Sequence, residues 1–516
     1  MLARRVLHDN LLASAASVPD RTLVSADDGA FGHAELLQAA LALAAGLKDL
    51  GMARGDRVVL FMENTRACAT AVFGTWLAGG AIVPVNAQTK ADKLAQIVDD
   101  CSPSVLVAEG SLLRVAVDAL AETETQPRLV GANLVGESVA ATCELFDDLI
   151  ASDPIASPAA TIPVDLAALI YTSGTTGIPK GVMLTHESMQ FAVESIVDYL
   201  RLGSDERILS VLQMAFTYGL SQLLIAAFLG GSLHLERSFA YPARTLERLD
   251  EWEATVIPGV PTVWATIISM MRGKNTYPSV RVLTNAAAGL PPAMHEPLAE
   301  IFPNALLYRM YGQTECIRVC YLEPELIDEK PTSVGKAMPG TEAVVLDADA
   351  RPVRPGEVGI LHVRGPHIMV GYWNAPELTA LALRPGHHDG DRVLATNDLF
   401  TVDEEGDLYF VARNDEVIKT RGEKVSPAEV DAVLFAIDGV KEAAVVGVPD
   451  DVLGESIRAY VVLDDGAALT EREILRTCRE RLPLFAVPQE VHFIPDLPKT
   501  PSGKVRRQSL VPGSSA

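Results

Sequence analysis

Leu166-Ala-Ala-Leu-Ile-Tyr171 runs directly into Thr172-Ser-Gly-Thr-Thr-Gly-Ile-Pro-Lys-Gly181. The first six residues are apolar and free of turn formers, the pattern of a strand buried on both faces. The stretch that follows holds three glycines, four hydroxyl side chains and one lysine. Glycines let successive backbone N–H groups turn toward one point, hydroxyls add donors, and Lys180 adds a positive charge. Physically that is a phosphate cradle. It is not the Gly-x-x-x-x-Gly-Lys-Ser/Thr loop. A Gly/Ser/Thr turn without a ligand has the same composition, so the surroundings must decide.

Upstream, helix-like and strand-like runs alternate. Ala34 to Leu50 is amphipathic and stops at Gly51, Arg57 to Phe61 is β-rich, Lys90 to Cys101 is helical, and Ser104 to Val107 reads as a strand. Such alternation predicts parallel α/β units with helices covering a sheet. Ala151 to Pro163 is a surface connection. Downstream, alternation continues to about residue 320 and gives way to β-rich segments between Gly340 and Val411. The last hundred residues restart a compact pattern: helix at Ser426–Phe435, strands at Val440–Val446 and Ile457–Leu463, helix at Glu471–Leu482. The domain boundary is placed at Asn414-Asp415.

At 516 residues the chain has room for about three or four structural units. Forty-three Lys+Arg against 67 Asp+Glu leave a net charge of −24. Nucleic acid and anionic lipid are therefore poor partners, and an anionic substrate must be met by locally placed donors. Six cysteines form no CxxC and no regular framework, which suits reduced thiols in the cytoplasm; Cys316 and Cys320 fall about one helical turn apart. The basic N-terminus is interrupted by His8, Asp9 and Asn10 and is expected to be mature protein. Ala67 to Val85 carries no charge, but Gly74, Gly79, Gly80 and Pro84 argue for a buried helix turning into a strand, and no membrane span is expected.

Three further clusters carry chemistry. Tyr311-Gly-Gln-Thr-Glu315 sets a carboxylate beside a hydroxyl, a donor pair suited to Mg²⁺. Thr396-Asn-Asp398, followed by Val411-Ala-Arg413, offers a carboxylate for a ribose diol and a guanidinium for phosphate. Pro498-Lys-Thr-Pro-Ser-Gly-Lys504-Val-Arg-Arg507 concentrates four cations on an acidic chain. Singly, the first reads as a turn with a solvated Glu, the second as a hairpin with charged ends, and the third equally as a solvated basic tail.

In order, they resemble one family. YTSGTTGIPKG, PGVPTVW (258–264), YGQTE, SVGKAMPG (333–340), GEVGILHVRGPHIMVGYW (356–373), TNDLF, ARNDEVIKTRGEKVSPAEV and PKTPSGK are together similar to the adenylate-forming superfamily of acyl-CoA synthetases, peptide-synthetase adenylation domains and luciferase-like enzymes. The resemblance covers nearly the whole chain. It implies a multi-subdomain α/β fold: a large N-terminal domain (1–414) of packed α/β subdomains plus a β-rich subdomain, and a small mobile α+β C-terminal domain (415–516). It also implies an AMP-forming acid–thiol ligase using ATP, Mg²⁺ and CoA, or loading a separate acyl carrier protein instead. A non-catalytic nucleotide-binding scaffold would require loss of Glu315, Asp398, Arg413 or Lys504, and all four are present.

Carried over by position, Thr172, Ser173, Gly174, Thr175, Thr176, Gly177 and Lys180 match the loop on the β- and γ-phosphates. Thr314 and Glu315 match the α-phosphate and Mg²⁺ positions. Tyr311, Ala287 and Ala288 match the adenine surroundings, Asp398 the ribose contact and Arg413 its neighbour. Asp415 falls at the hinge, Lys504 at the lysine of the adenylation step, and Lys419, Gly422 and Lys424 on the C-terminal face presented to the active site. Phe216, Tyr218, Gly219, Val260 and Trp264 fall on the acid pocket, whose apolar, aromatic character suits a fatty or aryl acid, and implies fatty acid metabolism or its aryl counterpart. Three departures stand out: Asn397 where the family commonly has Gly, Phe216 where many acyl-CoA synthetases have His, and Leu484-Phe-Ala-Val-Pro488 without the basic residue common in CoA-using members.

Overall fold

The apolar run at 166–171 is a strand that continues two residues beyond its apolar part, Leu166–Ser173. The computed structural model describes residues 5–134, 143–173, 179–271, 273, 275–414, 416–420, 423–450, 453–464, 466–500 and 505–512. Leu166–Ser173 pairs in parallel with Ala81–Val85 and antiparallel with Pro179–Thr185, so that Thr172 faces Lys180 and Tyr171 faces Gly181. The hydroxyl-rich stretch therefore connects two paired strands. Around them an eight-stranded mixed sheet includes parallel strands Arg57–Phe61, Val105–Glu109 and Arg128–Ala132.

The charge-free run is a helix, Arg66–Ala78, ended by Gly79 at φ +91° and followed by the strand Ala81–Val85. Thr65 caps it by accepting from the N–H of Cys68. Every residue from Ala67 to Ala78 is buried, which explains an apolar surface on all sides. Among the described residues, no helix is long and apolar enough to cross a membrane.

A nine-stranded sheet holds the second half of the large domain. Its parallel strands Arg207–Ser210, Val256–Gly259, Val282–Asn285 and Leu306–Tyr311 all end on one edge, the usual position for ligands in open α/β sheets. The chain then enters an antiparallel sheet of five strands. Within it Arg392–Val402 and Leu408–Arg413 form a hairpin. Its closed end is pinned: Lys330 Nζ lies 2.8, 2.5 and 2.6 Å from carboxylate oxygens of Asp403, Glu405 and Asp407. Leu408 also exchanges backbone hydrogen bonds with Val334 and Gly335. Gly335 has φ +75°, and a Cβ there would lie 1.8 Å from the Tyr321 carbonyl oxygen. The close approach admits only glycine, which accounts for the SVGK segment structurally.

The C-terminal part is a smaller α+β domain. Val440–Asp450 and Gly454–Leu463 pair antiparallel, helices Pro427–Phe435 and Glu471–Arg481 flank them, and Ile418, Val430, Leu434, Val445, Ile457 and Ile474 belong to its own core. All six cysteines are free. The expected helical spacing of Cys316 and Cys320 is not kept: Ile317 takes φ +55°, and Cys320 opens a strand.

Several histidines are buried neutral. His33 is fully buried, with Nδ1 2.8 Å from the Ser14 hydroxyl and Nε2 3.0 Å from the Gly231 carbonyl. Burial pushes His8, His33 and His367 down to about 4 and His186 to about 3. An unfolded chain binds these protons near pH 6.5, the folded one only near 4, so stability rises with pH across that window. The melting temperature is expected to fall steadily as the pH drops from about 7 to about 5. A constant value over that range would show that these rings are protonated in the fold.

Candidate active site

The strand Leu306–Tyr311 ends where the chain must double back. A Cβ on Gly312 would lie 2.5 Å from the Ile317 carbonyl oxygen, so only glycine lets the loop close. Val319 N–H donates to the Tyr311 carbonyl at 2.9 Å and seals it. The enclosed 3-10 turn, Thr314–Cys316, presents Thr314 and Glu315. Ile317 is a β-branched residue at positive φ, a strained conformation of the kind found near functional sites.

Glu315 is held twice. Its carbonyl accepts from Met369 N–H at 2.7 Å, and its Oε1 accepts from the Tyr372 hydroxyl at 2.9 Å. Burial, reinforced by Glu315, raises the Tyr372 phenol, which keeps it a donor. Tyr372 sits on a two-residue strand paired with Pro179–Thr185, and Lys180 Nζ lies 5.7 Å from its ring centroid. Lys180, Tyr372 and Glu315 thus follow one another in a row. Gly174 to Gly177 lie outside the described residues, as does the side chain of Ser173.

Asp398 is set by the pinned hairpin, directly opposite Arg413. It is 4% exposed. Its Oδ2 accepts from Tyr311 Oη at 2.7 Å and Gln313 Nε2 at 2.8 Å, and Arg413 Nε stands 3.6 Å from Oδ1. Burial first, and the neighbouring carboxylate second, lift the Tyr311 phenol well above its usual value. The Tyr311 ring packs edge-on against Phe400, 4.9 Å between centroids. Asn397 has φ +59°, the left-handed region. Asn is the side chain that best tolerates this after glycine, so the departure from the family pattern leaves the turn intact.

Ala287 and Ala288 follow the strand Val282–Asn285 on the same sheet edge as Tyr311. Ala287 is also left-handed at φ +71°, and Asn285 Nδ2 braces the turn by donating to the Ala288 carbonyl at 2.9 Å. Among the residues expected to line an acid pocket, Phe216 precedes the helix Thr217–Leu229 and is half-buried. Gly219 is sterically required, since a Cβ would lie 2.2 Å from the Gln213 carbonyl oxygen. The Tyr218 hydroxyl lies 2.6 Å from Thr284 Oγ1. Val260 and Trp264 are buried in an apolar cluster with Leu209, Ile257 and Leu283, and the Trp264 ring covers Gly259. A cavity of about 10 Å³, room for one water, is lined by Tyr218, Gln222, Thr284, Met310 and Arg318 among others. A larger open groove, about 940 Å³ beside Leu246, Asp250 and Met270, contains none of these residues. Size and chemistry disagree here, and the convergence of polar groups is the better guide.

Two residues escaped the sequence reading. Tyr372 lay inside a quoted motif without a role, and Arg318 lay outside every segment assigned to the pocket. In the small domain, Lys419 is exposed on Ile418–Thr420 and pairs across from the Lys424 backbone. The Lys424 side chain, Asp415, Gly422 and Lys504 lie outside the described residues.

A family model described as AMP-binding enzyme matches residues 11–373, and the AMP-binding enzyme C-terminal domain matches residues 429–504. The chain belongs to the AMP-binding enzymes. A Rhodococcus jostii relative, 3-[(3aS,4S,7aS)-7a-methyl-1,5-dioxo-octahydro-1H-inden-4-yl]propanoyl:CoA ligase, is 31% identical over 90% of each chain. Feruloyl-CoA synthase of an Amycolatopsis species is 32% identical over 94% of each. ATP-bound MatB from Rhodopseudomonas palustris superposes with a TM-score of 0.87 at 28% identity, covering 98% of this chain and 97% of that one. This AMP-binding enzyme is thus an adenylate-forming ligase, homologous to acyl- and aryl-CoA ligases.

Proposed function

We propose that the protein joins a fatty or aryl carboxylic acid to CoA in two steps. A carboxylate oxygen attacks the α-phosphorus of ATP, the bond to pyrophosphate breaks, and acyl-AMP forms. The thiol of CoA then attacks the acyl carbon, AMP leaves, and the thiol proton passes to solvent. The observation that carries this reading is the joining, through the turn that follows Tyr311, of Lys180–Tyr372–Glu315 with Tyr311–Gln313–Asp398, contributed by three sheets. Positioning and charge neutralisation are what phosphoryl chemistry asks of a protein.

Asp398 would take the ribose diol, Arg413 the neighbouring phosphate, and Thr172, Ser173, Lys180 and the loop 174–177 the outer phosphates. The oxygen donors of Glu315 and Thr314 fit Mg²⁺, with one Glu315 oxygen held by Tyr372 and the other unpaired among the described residues. Bound there, Mg²⁺ would neutralise charge on the phosphates. Ala287 and Ala288 would border adenine, and Phe216, Tyr218, Gly219, Val260 and Trp264 the acid. The domain boundary at 414/415 and a turn about Asp415 would let Lys504 serve the first step, and Lys419, Gly422 and Lys424 the second. Free thiols support a cytoplasmic setting.

The test is a panel of free acids assayed for pyrophosphate release with Mg·ATP. Acid-dependent release supports the reading; ATP binding without release on any acid overturns it, and a free amino acid as best substrate overturns the pocket assignment. Leu484 is 74% exposed beside Phe485 and the buried Ala486, an apolar surface where a carrier protein could dock. A hundredfold preference for a phosphopantetheinylated carrier over CoA would transfer the acceptor role to it. Tyr372→Phe is expected to reduce pyrophosphate release about tenfold or more, since a hydrogen bond to a carboxylate is lost. An unchanged rate and Mg²⁺ dependence would show that Glu315 does not need it.

A further inference from the structure

Arg318 is 4% exposed, yet among the described residues no carboxylate comes within ion-pair distance of it and its Nε has no hydrogen-bond partner. Its guanidinium carbon lies 5.0 Å from the centroid of the Tyr218 ring, and its charge also faces the Tyr199 phenol and the Cys320 thiol. A buried cation ordinarily sits against an anion, because losing water without gaining a counter-charge is costly, and a ring face returns only part of that loss. The residue is not stranded in a solid core. It borders the small cavity shared with Tyr218, Gln222, Thr284 and Met310, on the side of the pocket assigned to the acid. Gln222 uses one amide N–H on the Tyr218 carbonyl and retains the other. Met310 is unbranched and able to shift, so the cavity can open at little cost.

From this geometry we infer that the preferred acid carries a second anionic group, a carboxylate remote from the reacting one, which docks on Arg318. The inference rests on the acid-activating reading above and narrows its substrate class. Tyr218, Phe216 and the helix Thr217–Leu229 would line the apolar middle of such a molecule, and Arg318 would hold its far end. The need for a local cation follows from the net charge of −24, since the overall field disfavours a dianion. The same cation disfavours an ammonium, in keeping with poor use of amino acids.

The experiment compares acids matched in length, a terminal carboxylate against a terminal methyl or carboxamide, in straight-chain and aryl series. With wild-type protein, kcat/KM for pyrophosphate release is expected to favour the best diacid about tenfold or more over its matched partners. Arg318→Met should lower the diacid rate about a hundredfold and leave the monoacid rate unchanged or higher, while Arg318→Lys should restore part of the preference. Should Arg318→Met not fold, the carboxylate-against-carboxamide comparison on wild-type protein decides alone. Preference for the monoacid throughout overturns the inference. So does an equal loss on both members in the variant, which would place Arg318 on the reacting carboxylate common to all acids. If no acid releases pyrophosphate, the ligase reading falls. Calorimetric titration of the same pairs without ATP then judges Arg318 separately, and equal binding of diacid and monoacid overturns the anion site.

Discussion

Lys504→Ala is expected to lose acyl-AMP formation by about 10²–10³ and to convert supplied acyl-AMP to thioester at nearly the normal rate. The reason lies in the two anions that must meet in the first step. A carboxylate oxygen approaches an α-phosphate only if charge accumulating between them is neutralised, and a positioned ammonium does this without reorganising solvent. In the second step the electrophile is an acyl carbon and the nucleophile a thiol, so that ammonium has no equivalent task. Lys504 is the last residue matched to the AMP-binding enzyme C-terminal domain, and on the proposed reading a turn about Asp415 would withdraw it after adenylation. Asp415→Pro should accordingly damage thioester formation more than adenylation. Separate assays of the two half-reactions decide the matter; equal loss of both in a folded Lys504→Ala protein would exclude a two-orientation cycle.

Asp398→Ala should weaken ATP binding about a hundredfold. On the proposed reading this carboxylate takes the ribose; in the structure it accepts from Tyr311 and Gln313 while Arg413 stands beside it. Hydrogen bonds to an ionised acceptor contribute about 1.5–3 kcal/mol each, and a ribose diol can make two. The diagnostic ligand is 2′-deoxy-ATP. Wild-type protein should discriminate against it by tenfold or more, and the variant should bind both nucleotides alike. Retained discrimination in Asp398→Ala would move the ribose contact to another residue. Asp398→Asn, which keeps an acceptor for Tyr311, should fall between the two.

The alternation of helix and strand was legible in the sequence because burial imposes it. The run Ala67–Val85 reads as a buried helix and strand from its glycines and Pro84, and the structure has both. The site was legible as separate clusters but not as contacts. Nothing in Tyr311-Gly-Gln-Thr-Glu315 indicates that Tyr311 and Gln313 reach across to Asp398, because the hairpin that brings Asp398 there is specified some eighty residues later. Tyr372 was hidden for the same reason: a phenol acquires a role only when folding brings Glu315 beneath it. Arg318 was hidden more deeply, since a charged residue ordinarily points to solvent even between apolar neighbours such as Ile317 and Val319. Only the reversal of the chain at Gly312 and Ile317 takes it inside.

The turn at 403–407 has the outward look of an ordinary hairpin end, exposed and acidic, where a tag, a label or an inserted domain is commonly tolerated. Lys330 changes that expectation. Three carboxylates from the turn converge on its ammonium, and Asp407 is buried there. An insertion would part them, release the closed end of the hairpin, and disturb the placing of Asp398 at its other end. Anyone grafting a reporter onto this enzyme should treat that turn as part of the active site.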